Sequence, residues 1–163
     1  MTNKGYVSLG SNLGDRAGNL LLAVRAMVEA EFAVTRLSQI YQTEPVETFP
    51  QPQFLNLVAE FSVNKLSADD ALTRLLEIEA ALGRTREVSK GPRTIDLDLL
   101  FYGSETSATS RLTLPHPRLH ARRFVLVPLH ELAPDLVHPT LNKTVGELLK
   151  AVLDQSRVEL WKP

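Results

Sequence analysis

Apolar residues recur with two different spacings along the chain, and these spacings separate strands from helices. A spacing of two is typical of a strand with one buried face, and a spacing of three to four is typical of an amphipathic helix. In the second helix, Ser67 and Asp70 form a near capping box and Gly83 follows the last turn. The pattern predicts strands at 6–9, 34–43, 56–63, 95–101 and 124–127, and helices that begin after Asp15, Ser67 and Thr144.

The order of these elements predicts the fold class. Strand, helix, two strands, helix and strand in succession form the ferredoxin-like arrangement. We therefore expect a ferredoxin-like α+β fold, a three-layer-type sandwich with a mostly antiparallel sheet and flanking helices. The small number of helices favours placing them on one side of that sheet. At 163 residues, without a linker or a repeat, the chain is expected to form a single domain over residues 1–163.

Composition excludes several classes of protein. Hydrophobic residues make up 44% and charged residues 23% of the chain, which is ordinary for a globular protein. The chain has no cysteine, so it can form neither a disulfide framework nor a thiolate metal site. The first residues lack the apolar segment of a signal peptide, and no stretch approaches the length of a membrane span. We therefore expect a cytoplasmic protein without a membrane partner.

Basic residues are concentrated in one part of the chain. Residues 84–123 include eight basic and four acidic side chains, so this segment carries +4 while the whole chain carries −1. Seven of the eight are arginine, which suits two-pronged contacts with phosphate. A broad nucleic-acid surface would more often use scattered lysines as well. The distribution favours a small polyphosphate ligand and no nucleic-acid partner.

An Asp-x-Asp pair within GPRTIDLDLLFYG, residues 91–103, is the strongest chemical signal. In a strand, Asp96, Asp98 and Leu100 would project from one face, and the apolar residues from Ile95 to Phe101 that alternate with them would project from the other. Two acids on a partly buried strand need compensation. Mg²⁺ accepts one or two carboxylates and completes its coordination with water and substrate phosphates, so we expect a site for one or two Mg²⁺ ions. The alternative is an edge strand whose polar face is simply wet.

Two further side chains are candidates for the site. Glu79 falls on the apolar stripe of the second helix, where a carboxylate usually has a partner or a function, although it could instead reach solvent at the helix end. His116 lies between two prolines near Arg118, Arg122 and Arg123. Neighbouring positive charges predict a lowered pKa and a neutral ring, and the alternative is an ordinary surface histidine.

A proline-rich loop, TEPVETFPQPQ at residues 43–53, follows the second strand. It has no apolar periodicity, and loops of this length are often binding loops. Phe49 and Phe54 flank its prolines. These rings would either provide an aromatic wall for a ligand or anchor the loop to the core.

Several motifs together resemble one enzyme family. They are GSNLGD near the start, Thr43-x-Pro45 ahead of Phe54-Leu55-Asn56, GRTR at 83–86, GPRTIDLD at 91–98 and RLTLPHPRLHARRFVLVPL at 111–129. The combination resembles the 6-hydroxymethyl-7,8-dihydropterin pyrophosphokinases of the folate pathway, from about residue 6 to 134. The resemblance implies Mg²⁺-dependent transfer of the terminal pyrophosphate of ATP to the hydroxymethyl oxygen of the pterin, with release of AMP, by a monomer.

The resemblance also implies roles for residues at matching positions. Asp96 and Asp98 match the metal-binding acids. The matching catalytic residues are Arg86, Arg93, Asp96, Asp98 and Arg122. The residues that match the ATP site are Glu79, Arg84, Arg93, Arg111, Thr113 and His116. The residues that match the pterin pocket, where two aromatic rings enclose the bicycle, are Thr43, Val46, Phe54, Asn56 and Phe124. The chain departs from the family at Lys90, where some members have tryptophan, and at Glu47, where glycine occurs.

Two other classes use parts of the same pattern. A nucleotidyltransferase of the polymerase-β type also has an Asp-x-Asp strand, but its Gly-Ser helix start lies roughly ten residues upstream of the acids. Here Gly10 and Ser11 lie more than eighty residues upstream. A ferredoxin-like RNA-binding module would use the basic segment, but the aromatic-rich strand signature of such sheets is missing. Acids in the middle of such a binding face would also repel phosphate.

Overall fold

The computed structural model describes residues 3–45, 50–83 and 94–163, and its elements follow the predicted order up to residue 102, apart from a break in the second predicted strand. The strands are β1 (Lys4–Ser11), β2 (Ala33–Leu37), β3 (Tyr41–Thr43), β4 (Phe54–Ser62), β5 (Asp96–Tyr102), β6 (Ser107–Ala108), β7 (Thr113–Leu114) and β8 (Val158–Leu160). The helices are α1 (Arg16–Glu29), α2 (Ala68–Ala81), α3 (Arg123–Leu132) and α4 (Val145–Ala151), with a 3₁₀ turn at Leu119–Ala121.

The main sheet has the order β5-β1-β4-β3-β8, and β2 also pairs with β4. Every strand pair within the described ranges is antiparallel. The predicted α+β class, with a mostly antiparallel sheet flanked by helices, is therefore confirmed. In the described part of the chain, each helix is too short or too polar to span a membrane.

Helices cover both faces of the sheet. Val7 and Leu9 of β1 lie in one core with α1 and α2, whereas Tyr6 lies in a second core with α3 and α4. The prediction that the helices lie on one side is therefore wrong. In β4 every residue from Leu55 to Glu60 is buried, so both of its faces need cover. A strand of this kind requires a layer on each side.

A β-bulge interrupts the alternation predicted for β5. Tyr6 pairs with Phe101 and Val7 pairs with Leu99, so Leu100 is the extra residue. Leu97 and Leu99 pack in the α1–α2 core, but Phe101 packs with Leu100 in the α3–α4 core. The prediction that Phe101 shares a face with the preceding odd-numbered residues is therefore wrong, because a bulge reverses the direction of every later side chain.

The strand predicted at 124–127 is wrong, because these residues lie in α3. Its buried positions Val125, Leu126 and Leu129 have helical spacing, which continues through Pro128. The sequence suggested a strand because a proline after an apolar run is typical of a strand end. In the helix, Pro128 lacks the N–H that would bond to the carbonyl of Phe124. Pro128 is itself buried inside the helix, on the side that faces the core.

The segment predicted as one strand at 34–43 forms two strands, β2 and β3. Between them, the N–H of Ser38 donates to the carbonyl of Val58, and the Ser38 hydroxyl accepts from the N–H of Val58 at 2.9 Å. A side chain thus replaces one backbone partner at the break. The strand β8 was not predicted.

A charged network centres on the buried Glu60, where β1, β2, β4 and α3 meet. The Glu60 carboxylate, which is 4% exposed, accepts hydrogen bonds from Tyr6 (2.9 Å), Thr35 (2.7 Å) and Arg36 (2.8 Å). Arg36 also donates to the carbonyl of Leu132 at the end of α3, at 2.6 Å. The hydrogen bond from Arg36, aided by those from Thr35 and Tyr6, outweighs burial and lowers the pKa of Glu60 to about 2.

We expect Glu60→Gln to lower the free energy of unfolding by about 2 kcal/mol at pH 7, because the donors around it then face a neutral amide. The folded pKa of Glu60 lies below its ordinary value of 4.5, so its contribution is complete above that pH and is lost as the pH falls toward 2. Urea titrations of the variant and the wild type should therefore differ less at pH 3 than at pH 7.

The matched control is Glu29→Gln, which breaks the exposed Arg25–Glu29 pair (2.9 Å). Exposed pairs of this kind contribute less than about 0.5 kcal/mol. Equal losses in the two variants would contradict a special role for the buried network.

Candidate active site

Asp96 and Asn56 lie on the same face of the sheet, on either side of Gly10. The register of β1 pairs Gly10 with Asp96 on β5 and with Asn56 on β4. Residues directly opposite each other in antiparallel strands project to the same side. A Cβ atom at Gly10 would lie 2.7 Å from the Asn56 amide nitrogen, so only glycine fits without a shift. The gap at Gly10 therefore separates the acid pair from the Asn56 side chain.

The two acids are half-exposed on β5, the end strand of the sheet. Ser8, which pairs with Asp98, is small and buried. The Asp98 carboxylate lies 3.9 Å from Nε2 of His116, and both side chains are only partly exposed. The strand thus presents Asp96 and Asp98 to a cleft and keeps its apolar residues in the core, as the spacing predicts for these two positions.

His116 is held by its backbone and by one ring nitrogen. Its N–H donates to the carbonyl of Leu100 at 2.9 Å, and its Nδ1 accepts from the N–H of Arg118 at 3.2 Å. Nδ1 is therefore the unprotonated nitrogen, and Nε2 carries the hydrogen that faces Asp98. Burial, followed by the charges of Arg122 and Arg118, lowers the pKa of His116 to about 4. The predicted direction is confirmed, and the ring is neutral at pH 7.

A cleft of about 310 Å³ runs along the outer edge of β5, between α2 and the segment after β7. Glu79 lies at its base and is 4% exposed, so the alternative that it reaches solvent is wrong. Its carboxylate accepts a hydrogen bond from the N–H of Leu97 at 2.8 Å. The polar residues that line this cleft are Glu79, Asp96, Asp98, Arg111, Thr113 and His116.

Arg111 marks the rim of this cleft. Its guanidinium donates to the Thr73 hydroxyl and lies 3.5 Å from the Asp69 carboxylate at the start of α2. The side chain of Arg111 is half-exposed. Its charge therefore stays accessible to a ligand while its position is fixed by the helix.

A second group of matched residues lies on β3, β4 and α3. The Thr43 hydroxyl donates to the Asn56 amide oxygen at 2.6 Å, and both residues are buried. Thr43 pairs with Phe54 in the sheet, and Phe54 is half-buried. Phe124 on α3 is also half-buried, with the guanidinium carbon of Arg122 at 5.5 Å from its ring centre. Both rings keep part of their surface available for a ligand.

Sequence reasoning missed the role of Asn12. Its buried amide donates to the carbonyl of Pro52 at 2.9 Å and to the side chain of Gln51 at 3.0 Å. Arg16 adds a bond to the carbonyl of Gln53 at 3.1 Å. The turn therefore anchors the proline-rich loop just before Phe54. Nothing in the local pattern indicates this contact, because it joins positions 40 residues apart.

Part of the predicted site lies outside the described residues. This applies to the site residues Val46, Arg84, Arg86 and Arg93, and to Glu47, Phe49 and Lys90.

The acid pair has the chemistry of a Mg²⁺ site. Within residues 3–45, 50–83 and 94–163, no three His, Cys, Asp or Glu side chains gather to hold a metal ion by themselves. Two carboxylates on one strand face, in a cleft with room for a ligand, suit an ion that takes its remaining oxygens from water and phosphate. Asp96 and Asp98 fit such an ion better than one that needs a complete protein cage.

Comparison with solved structures supports the fold. A structure described as HPPK-DHPS in complex with substrates superposes with a TM-score of 0.66 at 14% identity, covering 93% of this chain and 43% of that chain. The wild-type HPPK-DHPS of Plasmodium falciparum, with pterin and p-hydroxybenzoate, superposes with a TM-score of 0.65 at 16% identity, covering 92% of this chain and 42% of that chain. This chain therefore spans less than half of each of these solved proteins, and the likeness concerns the fold alone.

Sequence comparison gives the family. The chain is 42% identical to the 2-amino-4-hydroxy-6-hydroxymethyldihydropteridine pyrophosphokinase of Bacillus subtilis, over 99% of this chain and 92% of the relative. It is 38% identical to the Haemophilus influenzae enzyme of the same name, over 95% of this chain and 96% of the relative. The mitochondrial folate synthesis bifunctional protein of Arabidopsis thaliana is 43% identical over 86% of this chain and 24% of its own length.

A model of the family described as 7,8-dihydro-6-hydroxymethylpterin-pyrophosphokinase matches residues 6–134, which include every motif that carried the resemblance. With that match and the two bacterial relatives of nearly equal length, the chain belongs to the 7,8-dihydro-6-hydroxymethylpterin-pyrophosphokinase (HPPK) family, the pyrophosphokinases of folate biosynthesis.

Proposed function

We propose that this chain binds ATP in the cleft along β5 and 6-hydroxymethyl-7,8-dihydropterin between Phe54 and Phe124, and transfers pyrophosphate from one to the other. One observation carries the proposal. The sheet register sets the acid pair on one side of Gly10 and the Thr43–Asn56 pair on the other. The phosphate chemistry and the proposed pterin pocket are therefore neighbours on one face of the sheet.

The cleft along β5 suits a nucleotide. Leu72, Leu76 and Leu99 give it apolar surface for a base, while Arg111 and Thr113 give it polar contacts at the rim. His116 offers one hydrogen from Nε2 to a phosphate oxygen, without a charge that would compete with a metal ion. Arg84 and Arg93 stay predicted partners of the triphosphate.

Asp96 and Asp98 would hold Mg²⁺, which when bound neutralises phosphate charge and fixes the geometry of the transfer. Their place on a strand is important because both neighbours in the sheet, Gly10 and Ser8, are small. The small side chains at these two positions leave room beside the carboxylates, which project from a rigid strand.

The second pocket suits the pterin. The Thr43 hydroxyl bonds to the Asn56 amide oxygen, which fixes the direction of that amide. The amide still has a free lone pair on oxygen, and the Thr43 hydroxyl oxygen can accept a further hydrogen bond. A planar, hydrogen-bonding bicycle would then stack between the rings of Phe54 and Phe124, which leave part of their faces exposed.

The reaction forms a bond between the hydroxymethyl oxygen and the β-phosphorus of ATP and breaks the bond from that phosphorus to the bridging oxygen of AMP. The hydroxyl proton leaves to solvent, and we assign no general base. Catalysis by this chain then consists of positioning and charge neutralisation, which dominate phosphoryl transfer. Arg122 adds a positive charge beside Phe124, and Arg86 and Arg93 stay predicted catalytic residues. One chain supplies all of the assigned residues, so we propose that the protein acts as a monomer. We also propose that it acts in the cytoplasm.

The first test is analysis of nucleotide products after incubation of the protein with Mg²⁺ and ATP. We expect AMP to form only when 6-hydroxymethyl-7,8-dihydropterin is added, because the transferred group needs that acceptor. A nucleotidyltransferase would instead release pyrophosphate. If ATP binds but no AMP forms with the pterin, the proposed acceptor is wrong.

We expect Asp98→Asn to reduce kcat by about 10³-fold, because it removes one charge of the proposed metal site with almost no change in volume. Steady-state rates over a range of Mg²⁺ concentrations measure this loss. Asp135→Asn, an exposed acid on the loop after α3, is the control and should turn over normally. Near-normal turnover of Asp98→Asn would remove Asp98 from the site.

We expect Phe54→Ala to raise the KM for the pterin about 5- to 30-fold with little change in the KM for ATP, since stacking on one aromatic ring contributes about 1–2 kcal/mol. Phe54→Tyr keeps the ring and should stay near the wild type. Equal increases for both substrates would make Phe54 a structural anchor of the loop instead.

A further inference from the structure

Helix α3 begins without a cap from its own sequence. Its N-cap residue is Arg122, which provides no side-chain hydrogen bond to the first turn. Ser, Thr, Asp and Asn are preferred at this position because they accept from the free N–H groups, and a positive charge there opposes the helix dipole. The first turn of α3 also carries Phe124. Its stability therefore depends on a partner from elsewhere.

The partner comes from the C-terminal segment. Oδ2 of Asp154 accepts from the N–H of Arg123 at 2.9 Å, and Oδ1 accepts from the N–H of Ser156 at 2.8 Å. The Arg123 guanidinium then donates to the carbonyl of Ser156 at 3.1 Å. Burial would raise the pKa of Asp154, but the hydrogen bonds from Ser156 and Arg123 outweigh it and lower the pKa. A carboxylate thus caps α3 across 31 residues of sequence.

The same segment also holds β3, the strand that pairs with Phe54. Val158 pairs with Thr43 in the sheet, and the N–H of Glu44 donates to the carbonyl of Arg157 at 3.3 Å. The N–H of Arg157 donates to the Glu44 carboxylate at 2.9 Å. Further along, the N–H of Trp161 donates to the carbonyl of Ile40 at 3.0 Å. These contacts hold β3 and the first residue of the loop that follows it.

We propose that residues 152–161, the C-terminal strap, set the distance between the two walls of the pterin pocket, with Asp154 as a positioning residue. One wall is Phe124, which the strap holds through the start of α3. The other is Phe54, whose strand partner Thr43 the strap holds through β8. The strap lies beyond residue 134, where the family match ends. The proposal rests on the assignment of the pterin to this pocket.

The strap acts on the pocket and not on the nucleotide cleft. It contacts the start of α3 and β3, whereas the cleft is formed by α2, β5 and the residues around His116. Loss of the cap would let the first turn of α3 fray, because its N–H groups would lose their acceptor. Pterin affinity should therefore change before ATP affinity does.

The test uses Asp154→Ala in the full chain, with titrations of the pterin and of ATP measured separately by calorimetry. We expect the Kd for the pterin to rise about fivefold, as for loss of a helix cap, and the Kd for ATP to change less than twofold. Trp161 is the single tryptophan of the chain and lies on the strap, so its emission reports whether the strap stays docked. Its emission should shift to longer wavelength in the variant.

Three further variants complete the test. Asp154→Asn keeps one acceptor for the N–H of Arg123 and should recover much of the pterin affinity. Glu44→Ala removes the carboxylate that accepts from the N–H of Arg157 at the other end of the strap. It should weaken pterin binding with the same selectivity, and it replaces Asp154→Ala if that variant does not fold. Leu153→Ala is the control, since that side chain is 94% exposed, and it should match the wild type in both titrations and in emission.

Two results would overturn the proposal. Unchanged pterin affinity together with shifted Trp161 emission would show that the strap can detach without altering the pocket. Equal weakening for pterin and ATP would indicate a general effect on folding. These titrations do not depend on turnover. If the wild type binds the pterin but forms no AMP, the proposed reaction is wrong. The role of the strap is then still decided by comparing the change in Kd for the pterin with the change in Kd for ATP.

Discussion

The burial of β1 on both faces is the constraint on which the rest of the structure depends. β1 pairs with β4 on one side and with β5 on the other, and it contributes to both cores. A strand in this position needs a helical layer above and below it, and the layers determine which residues remain accessible. Near its end, Gly10 has no side chain, which leaves a gap between Asp96 on one neighbouring strand and Asn56 on the other. The site therefore lies where the central strand stops contributing to the core.

The local part of this arrangement could be predicted from the sequence. The acid pair follows from a spacing of two, and the capping box at Thr144 follows from a spacing of three. Each depends on residues close together in the chain. The basic neighbours of His116 indicate a lowered pKa, but the larger cause is burial, which the sequence does not show. For Glu79, the sequence indicated an inward carboxylate but not its acceptor role at the N–H of Leu97.

The remaining features depend on contacts between distant positions. The residues around the bulge at Leu100 show no change in strand propensity that would indicate it. Helix α3 contains Pro128 at the end of an apolar run, and such a run also fits a strand. The contact of Asn12 with the proline-rich loop and the cap that Asp154 gives to α3 join residues far apart in sequence. Tertiary packing overrides local preference in such cases, so a single sequence does not reveal them.

The closed edge of β5 has a consequence for self-association. An open strand at the end of a sheet offers its N–H and carbonyl groups to any other extended chain, which is a common route to aggregation. Here the Glu79 carboxylate occupies the N–H of Leu97, and the N–H of His116 occupies the carbonyl of Leu100. Two of the hydrogen-bonding groups at this edge are therefore already occupied, which disfavours extension of the sheet by a second copy. Glu79 and His116, which line the cleft along β5, thus also limit strand pairing at this edge.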